Sequence, residues 1–193
     1  MNTSSRIILG MLFIIASLLI GFEPIKNFFD GSDASSVPFN MPAYAQVPET
    51  APKRELKQGK PMRIVIPSLS IDIAVTDGYY DSNNQTWTLT KDKAQYAVMT
   101  PQANNIAGNT FIYGHNRKEV FAKLSKIKVG EKVTVYTDSG HEFTYSYLSS
   151  KETDPTDSSL FSYQGPPILT LQTCSGIFFQ NRQLFTFRLS EVV

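Results

Sequence analysis

The chain has 193 residues, a formal net charge of +1 and a hydrophobic fraction of 41%, which suits one domain with a hydrophobic core. The near-neutral charge gives no argument for binding nucleic acid or an acidic partner. The single cysteine, Cys174, excludes an intramolecular disulfide, a C-x-x-C redox pair and a zinc site built from several cysteines.

The N-terminal segment is typical of a membrane anchor. Residues 7–22 are almost entirely apolar and follow Arg6. As a helix they span about 24 Å, slightly less than the ~30 Å hydrocarbon core of a bilayer. We predict that residues 1–29 form a cytoplasmic stub and an uncleaved, single-pass signal-anchor helix, with the rest of the chain outside. The alternative is a cleaved signal peptide, but the candidate cleavage motif at 43–45 lies about 20 residues too far along.

The next segment has the composition of a linker. Residues 30–60 are rich in Ser, Pro, Ala and Lys and show no sustained apolar period. Such a segment is typically extended and semi-rigid. We therefore predict that it holds a folded domain, residues 61–193, away from the membrane.

Short β-branched and apolar runs follow one another from residue 61 onward. The candidate strands are 62–67, 71–75, 86–89, 110–113, 132–136, 142–147, 168–174 and 183–189, with a helical turn at 120–124. The turn residues at 138–140 predict a hairpin between the fifth and sixth runs. Seven or eight short strands with little helix predict an all-β fold. A single closed β-barrel is expected because closure removes exposed strand edges.

Cys174 ends a predicted strand and is followed directly by Ser175 and Gly176. A lone cysteine in a strand is usually an inert, buried side chain. Here it lies at a strand end and, by the predicted topology, outside the cell, where an unpaired thiol is a liability. From these residues alone, an inert thiol and a nucleophile both remain open.

Two histidines could assist such a nucleophile. His115 follows Gly114 at the end of the strand 110–113, and a histidine at a strand end is one part of a nucleophilic cysteine site. A structural histidine is the default interpretation there. His141 lies in the predicted hairpin turn, where exposure is expected, and it is the weaker candidate.

Arg182 opens the last predicted strand, a short loop after Cys174. Arg188 lies roughly 20 Å further along that strand at ~3.3 Å per residue, so we expect it to be a solvated surface charge. The same is expected of Arg117. Arg182 is therefore the arginine placed to take part in a site with Cys174.

Three segments agree with one known pattern. Residues 170–174 read Thr-Leu-Gln-Thr-Cys, residues 113–115 read Tyr-Gly-His, and Asn181-Arg182 precedes an alternating strand. They resemble the T-L-x-T-C motif, the strand ending in Gly-His and the arginine at the start of the last strand of the sortase family. The resemblance covers about residues 61–189, and the anchor and linker also fit this family.

The resemblance implies a membrane-anchored cysteine transpeptidase of a Gram-positive-type cell envelope. Sortases cut a C-terminal sorting signal, commonly of L-P-x-T-G type, between Thr and Gly and pass the acyl group to an amine. The implied partners are surface proteins that carry such a signal and an amine acceptor of the cell wall or its lipid precursor. In this chain Cys174 would be the nucleophile, His115 the general acid and base, and Arg182 the oxyanion ligand. We expect no cofactor and no metal.

The strand period suggests further substrate-binding residues. Cys174 shares its predicted strand face with Gln172, and His115 shares its face with Tyr113, where the family often has a smaller residue. The segment 157–166 resembles the family's loop that covers the substrate. The full set of predicted substrate-binding residues is Tyr113, Leu160, Phe161, Thr170, Gln172 and Thr173.

Two alternative functions were weighed. An L,D-transpeptidase that crosslinks peptidoglycan also uses cysteine and histidine on a β fold. Its motif, however, places the histidine only a few residues before the cysteine, whereas His115 and Cys174 are far apart. The other alternative is a non-catalytic surface binding domain with an inert thiol.

Overall fold

The computed structural model describes residues 55–84, 86–178 and 180–193. The predicted signal-anchor helix and most of the linker lie outside these ranges. The strands of the described part, in chain order, are β1 (Gln58–Gly59), β2 (Pro61–Ile66), β3 (Ile71–Gly78), β4 (Tyr80–Asp81), β5 (Thr86–Trp87), β6 (Ala94–Ala97), β7 (Ala103–Asn104), β8 (Asn109–Tyr113), β9 (Lys132–Thr137), β10 (Glu142–Thr153), β11 (Ile168–Ser175) and β12 (Asn181–Val192). Two short 3-10 helices, Pro67–Leu69 and Ala122–Lys126, join them. Among the described residues, no helix has the length and apolar character needed to cross a bilayer.

Eight of the described strands close into a barrel in the order β10-β12-β11-β8-β6-β3-β2-β9. The pairs β3–β6 and β8–β11 are parallel and the other pairs are antiparallel. The prediction of an all-β fold with a single closed barrel is confirmed. Strand β6 was not predicted, because all four of its residues are buried and it shows no alternation between apolar and polar residues.

The barrel core contains the inward-facing side chains of its strands. Along β11 these are Leu169 and Leu171, both fully buried, and along β12 they are Phe185 and Phe187. Each such large apolar side chain contributes roughly 1.5–3 kcal/mol when removed from water. The largest fully buried side chains are Tyr145, Phe121, Phe143, Phe187, Ile64, Ile66, Ile112, Leu124, Leu169, Leu171, Gln95 and Val120.

A second apolar group, which we call the outer cluster, covers part of the barrel's outer surface. Its buried members are Ala97, Phe111, Tyr113 and Leu184, and three partly buried side chains pack against them: Trp87, Leu160 and Phe161. Residues of both parities are therefore buried along β8 and β12. The outer cluster lies on the face opposite to the core residues of the same strands.

The ordered domain begins before the predicted boundary at residue 61. Strand β1 lies in the range predicted as linker and pairs with β7. Asn105 strengthens this attachment, because its side chain accepts a hydrogen bond from the Lys57 amide at 3.1 Å and donates one to the Glu55 carbonyl at 2.8 Å. The end of the linker is thus bonded to the barrel domain.

Candidate active site

Strands β11 and β12 bring Cys174 and Arg182 together. The two residues are direct partners in the antiparallel register, and such partners have Cβ atoms about 4.5–5.5 Å apart on the same face of the sheet. Gly176, just past β11, has a φ of +84°, which a glycine adopts at little cost and other residues do not. The turn that returns the chain to Arg182 therefore depends on this glycine.

Backbone and side-chain bonds fix the segment before His115 against β11. The Gly114 amide donates to the Gln172 carbonyl at 3.0 Å, and the Thr173 hydroxyl donates to the Gly114 carbonyl at 3.0 Å. A Cβ atom at position 114 would lie 2.7 Å from Val120, so only glycine fits there. The glycine of the Gly-His pair is thus required by close packing.

The parallel register of β8 and β11 places His115 level with Cys174. The last pair of this register is Tyr113 with Gln172, and two further residues along each strand lead to His115 and Cys174. With Arg182 on the other side of Cys174, the three predicted catalytic residues form a row across three neighbouring strands. We call this set His115, Cys174 and Arg182 the catalytic row.

Asn116 also takes part in this arrangement, although nothing in the sequence singled it out. Its side-chain amide donates a 3.0 Å hydrogen bond to the Cys174 carbonyl. The amide of Phe121 donates to the His115 carbonyl at 3.2 Å. These two bonds connect the loop that carries His115 to the end of β11 and to the following 3-10 helix.

The environment of His115 favours its neutral form. Burial lowers the pKa of the imidazole below its ordinary value of 6.5, and the positive charge of Arg117 lowers it further. A neutral imidazole can accept a proton from a thiol at neutral pH. Arg117 was predicted to be a surface charge, and it is exposed, yet it acts on the site through this electrostatic effect.

The guanidinium of Arg182 is held at the start of β12. Its Nη1 donates to the Asn181 carbonyl at 3.1 Å, and its neighbour on the far side of the sheet from Cys174 is Thr153 of β10. The pKa of Asp154 is lowered mainly by hydrogen bonds from Thr156, with a smaller contribution from the charge of Arg182. Arg182 is therefore half-buried between Cys174 and an acidic loop.

Tyr113 lies one row below the catalytic row and is 4% exposed. The register sets Gln95, Tyr113, Gln172 and Leu184 side by side across four strands. A Cβ atom on Gly78 would lie 2.3 Å from the Tyr113 hydroxyl, so the phenol occupies space that only a glycine leaves. Burial raises the pKa of the Tyr113 phenol, which therefore stays a neutral hydrogen-bond donor.

Leu160 and Phe161 both pack on the outer cluster, and buried hydrogen bonds hold their segment in place. The side-chain amide of Asn109 donates to the Leu160 carbonyl at 2.9 Å. The Asn109 oxygen accepts a 3.0 Å bond from the Thr170 hydroxyl, and both side chains are fully buried. Thr170 therefore supports the covering segment from below and lies away from the open surface.

The remaining predicted residues lie in different places. Thr173 has the parity of the core residues Leu169 and Leu171, so its side chain lies on the face opposite to Cys174. His141 lies near the start of β10, at the end of that strand opposite to Thr153, the partner of Arg182. The structure thus brings Tyr113, Gln172, Leu160 and Phe161 to one outer face and separates Thr173 and His141 from it.

A cavity of about 270 Å³ opens at the barrel end beside Cys174. It is lined by Asn116, Phe121, Ala122, Ser125, Ile127, Tyr147, Ser150, Thr173, Cys174, Ser175, Gln183 and Phe185. No charged side chain is among these residues. Elsewhere in the described ranges, no group of three or more His, Cys, Asp or Glu residues could hold a metal ion.

Solved structures of similar fold are sortases. The similarity to sortase C2 of pilus island 1 from Group B Streptococcus has a TM-score of 0.55 at 23% identity and covers 67% of this chain and 73% of that one. For sortase E1 from Streptomyces coelicolor the values are 0.54, 22%, 70% and 90%. For the SrtA sortase from Actinomyces oris they are 0.55, 16%, 72% and 84%. At these identities the similarity shows the fold alone.

A comparison with curated protein sequences found no match. The family model for the sortase domain, however, matches residues 64–189. This range runs from within β2 to within β12, so it contains the closed barrel and every residue of the catalytic row. The chain therefore belongs to the sortase family of cysteine transpeptidases.

Proposed function

We propose that this sortase cleaves a C-terminal sorting signal of L-P-x-T-G type between Thr and Gly and transfers the protein to an amine of the cell envelope. The observation that carries the proposal is the catalytic row of His115, Cys174 and Arg182, which neighbouring strands set side by side. Family membership favours this function over the L,D-transpeptidase and over the non-catalytic binding domain.

In the first half of the proposed reaction, the Cys174 thiolate attacks the Thr carbonyl carbon, and the carbonyl π electrons move to its oxygen. Arg182 donates hydrogen bonds to this oxyanion, a contribution worth about 3–4 kcal/mol at sites of this kind. As the oxyanion collapses, the Thr–Gly bond breaks and His115 in its protonated form gives a proton to the leaving Gly amine. The product is a thioester on Cys174 and a free C-terminal fragment.

In the second half, a primary amine attacks the thioester carbonyl. His115, now neutral, takes the proton that the amine loses, and the Cys174 thiolate leaves as the new amide forms. The acyl chain occupies the outer face beside Tyr113, so the amine must approach from another direction. The cavity at the barrel end opens beside Cys174 and supports such an approach. Without an amine, water attacks in its place and the enzyme acts as an endopeptidase.

The proposed substrate is a peptide segment, and two observations support this. The outer cluster and the catalytic row form a continuous face long enough for several extended residues. The structure of Streptomyces coelicolor sortase E1, which shares the fold, holds a tripeptide in its active site.

The test is mass spectrometry of a pool of sorting-signal peptides incubated with the enzyme, with and without a primary amine. We expect cleavage between Thr and Gly, an amide product when the amine is present and an acyl-enzyme mass on Cys174 at short times. The matched control is Cys174→Ala, which lacks the only thiol and should form neither product nor acyl-enzyme. Product formation by this variant at the parent rate would disprove the mechanism, provided that its circular dichroism matches the parent.

We also propose the cellular setting of the enzyme. Residues 1–29 would anchor it in a Gram-positive-type membrane as a single-pass protein, with the N-terminus in the cytoplasm and the barrel domain outside. Its partners would be surface proteins that bear the signal and an amine of the wall or its lipid precursor. Protease treatment of intact cells should remove the barrel domain, and complete protection of that domain would contradict this topology.

A further inference from the structure

Trp87 lies over the part of the outer face that leads to the catalytic row. Its ring centroid is 5.0 Å from that of Tyr113 and 5.7 Å from that of Phe161, and the Phe161 ring is 4.8 Å from Phe111. Centroid distances of 4.5–7 Å are those of aromatic rings in direct contact. The four rings therefore form a continuous layer on strand β8, directly below His115.

This layer occupies the path that the proposed substrate needs. The register places Tyr113 and Gln172 immediately below the catalytic row, so the residues upstream of the cleaved bond must lie over this pair. With the Trp87 ring in contact with Tyr113, a peptide chain has no room there. Substrate binding therefore requires that Trp87 leave this position.

The element that carries Trp87 is attached weakly enough to move. Strands β4 and β5 have two residues each and, among the described strands, pair only with one another outside the barrel. The Thr88 amide and hydroxyl both bond to the Tyr79 carbonyl, at 2.9 and 3.3 Å. An isolated two-stranded ribbon of this size has little stability of its own.

Two buried polar atoms lie side by side in the layer that Trp87 contacts. Tyr113 and Gln95 are direct cross-strand partners and are 4% and 0% exposed. Neither the Tyr113 hydroxyl nor the Gln95 Oε1 atom has a hydrogen-bond partner. The orientation of the Gln95 amide is fixed, because its Nε2 donates to the Thr90 hydroxyl at 2.5 Å and to the Lys93 carbonyl at 3.2 Å.

Buried polar groups without partners are costly and rare in native proteins. Here the pair consists of one donor, the phenol, and one acceptor, the amide oxygen. A secondary amide offers the complementary acceptor and donor, its C=O and its N–H. The main chain of an extended peptide provides such a group at every residue that is not proline.

We propose that Trp87 covers a subsite for a main-chain amide of the sorting signal, which the Tyr113 hydroxyl and Gln95 Oε1 bind once the peptide displaces the indole ring. This inference rests on the proposed function and adds two residues to it. Trp87 sets the affinity for the signal by competing with it, and Gln95 is a positioning residue that acts on the substrate backbone. Neither residue contacts the reacting carbonyl.

Fluorescence tests the displacement directly, because Trp87 is the chain's single tryptophan. The Cys174→Ala protein is titrated with a signal peptide that the parent cleaves, and binding is measured independently by calorimetry. We expect the emission of Trp87 to change with the same Kd as the heat of binding. Unchanged emission at calorimetric saturation would overturn the proposal and leave the proposed function intact. If the parent cleaves no peptide of the pool, both fail.

Kinetics test the competition. Removing the ring by Trp87→Ala should lower KM by about 5- to 100-fold, because two aromatic contacts no longer hold the closed arrangement, while kcat stays within about twofold. The matched control is Leu89→Ala, an exposed apolar residue two positions along the chain, which should leave KM unchanged. A higher or unchanged KM for Trp87→Ala would overturn the proposal.

Backbone methylation of the peptide tests Gln95. Each N–H upstream of the cleaved bond is methylated in turn, and one position should lose about 3- to 12-fold in kcat/KM with the parent, as expected for one hydrogen bond. The same peptide should lose clearly less with Gln95→Met, because that variant has no acceptor to lose. An equal loss in parent and variant at every position would overturn the role of Gln95, and a merely structural role predicts that equality.

Discussion

Replacing Arg182 by lysine tests the catalytic row most sharply, since it keeps the charge and removes the planar guanidinium. Arg182 is the direct cross-strand partner of Cys174, so its head group is within reach of an oxygen on a carbon bonded to Sγ. Loss of one oxyanion donor costs about 10²- to 10³-fold in kcat. We expect Arg182→Ala to lose this much and Arg182→Lys to recover less than about a tenth of it.

The reason lies in geometry. A guanidinium has five N–H donors in a rigid plane, so Arg182 can keep its 3.1 Å bond to the Asn181 carbonyl while it donates to an oxyanion. A lysine ammonium is a compact point charge on a flexible stem and lacks this fixed pair of directions. It cannot satisfy both acceptors with the same geometry.

Arg188 provides the matched control on the same strand. It has the same parity as Arg182, is exposed and pairs with Ile168 at the start of β11. That position is about 20 Å from the catalytic row at ~3.3 Å per residue. Arg188→Ala should therefore stay within about twofold of the parent in kcat/KM.

The assay is kcat/KM for a fluorogenic sorting peptide with an amine in excess, together with the melting temperature of each variant. Unaltered melting temperatures would show that the losses are catalytic. Equal losses at positions 182 and 188, or full activity of Arg182→Lys, would refute the assignment of Arg182 to the oxyanion.

Further predictions concern the neighbours of the catalytic row. His115→Ala should lose at least about a hundredfold in kcat/KM, as expected for loss of a general acid and base, whereas His141→Ala should be nearly silent. Reversed effects would exchange the two roles. Arg117→Gln should raise the pKa of His115 towards 6.5, because it removes one of the two causes that lower it. Proton NMR titration in a His141→Gln background measures this. Since the folded-state pKa lies below the unfolded value, the stabilising contribution of His115 is present above about pH 6.5 and decreases as the pH falls through the folded pKa. A flat difference in stability between parent and His115→Gln across that window would contradict this. Tyr113→Ala should change the kcat/KM ratio between signals with Pro and with Ala at the second residue by about 10- to 200-fold, and Tyr113→Phe separates a hydrogen bond from a shape effect. An unchanged ratio in both variants would mean that Tyr113 only packs in the barrel. Asn109→Ala should lower the free energy of unfolding by about 2–4 kcal/mol, because it removes two hydrogen bonds and leaves the buried Thr170 hydroxyl without its acceptor. A loss below about 1 kcal/mol in urea unfolding would refute this reasoning.

Local sequence pattern determined several features of this protein. Alternation along 132–136 and 142–147, with a Gly-containing turn between them, predicted the β9–β10 hairpin, because side-chain parity and turn chemistry act over a few residues. The motif at 170–174 and the Gly-His pair at 114–115 identified the family, and the position of Arg182 at a strand start followed from the run after it. These signals are local, so they can be seen without knowledge of the strand order.

The tertiary structure decided which residues meet. Gly114 and Thr173 are 59 positions apart, and only the parallel pairing of β8 with β11 sets His115 beside Cys174. Thr170 shares parity with Cys174, yet it is covered by the segment that Asn109 binds, which no periodicity reveals. Trp87 lies in a two-residue strand whose pattern carries no signal of its contact with Tyr113. Long-range pairing depends on which barrel closure satisfies all strand edges at once, and a single stretch of sequence does not contain that information.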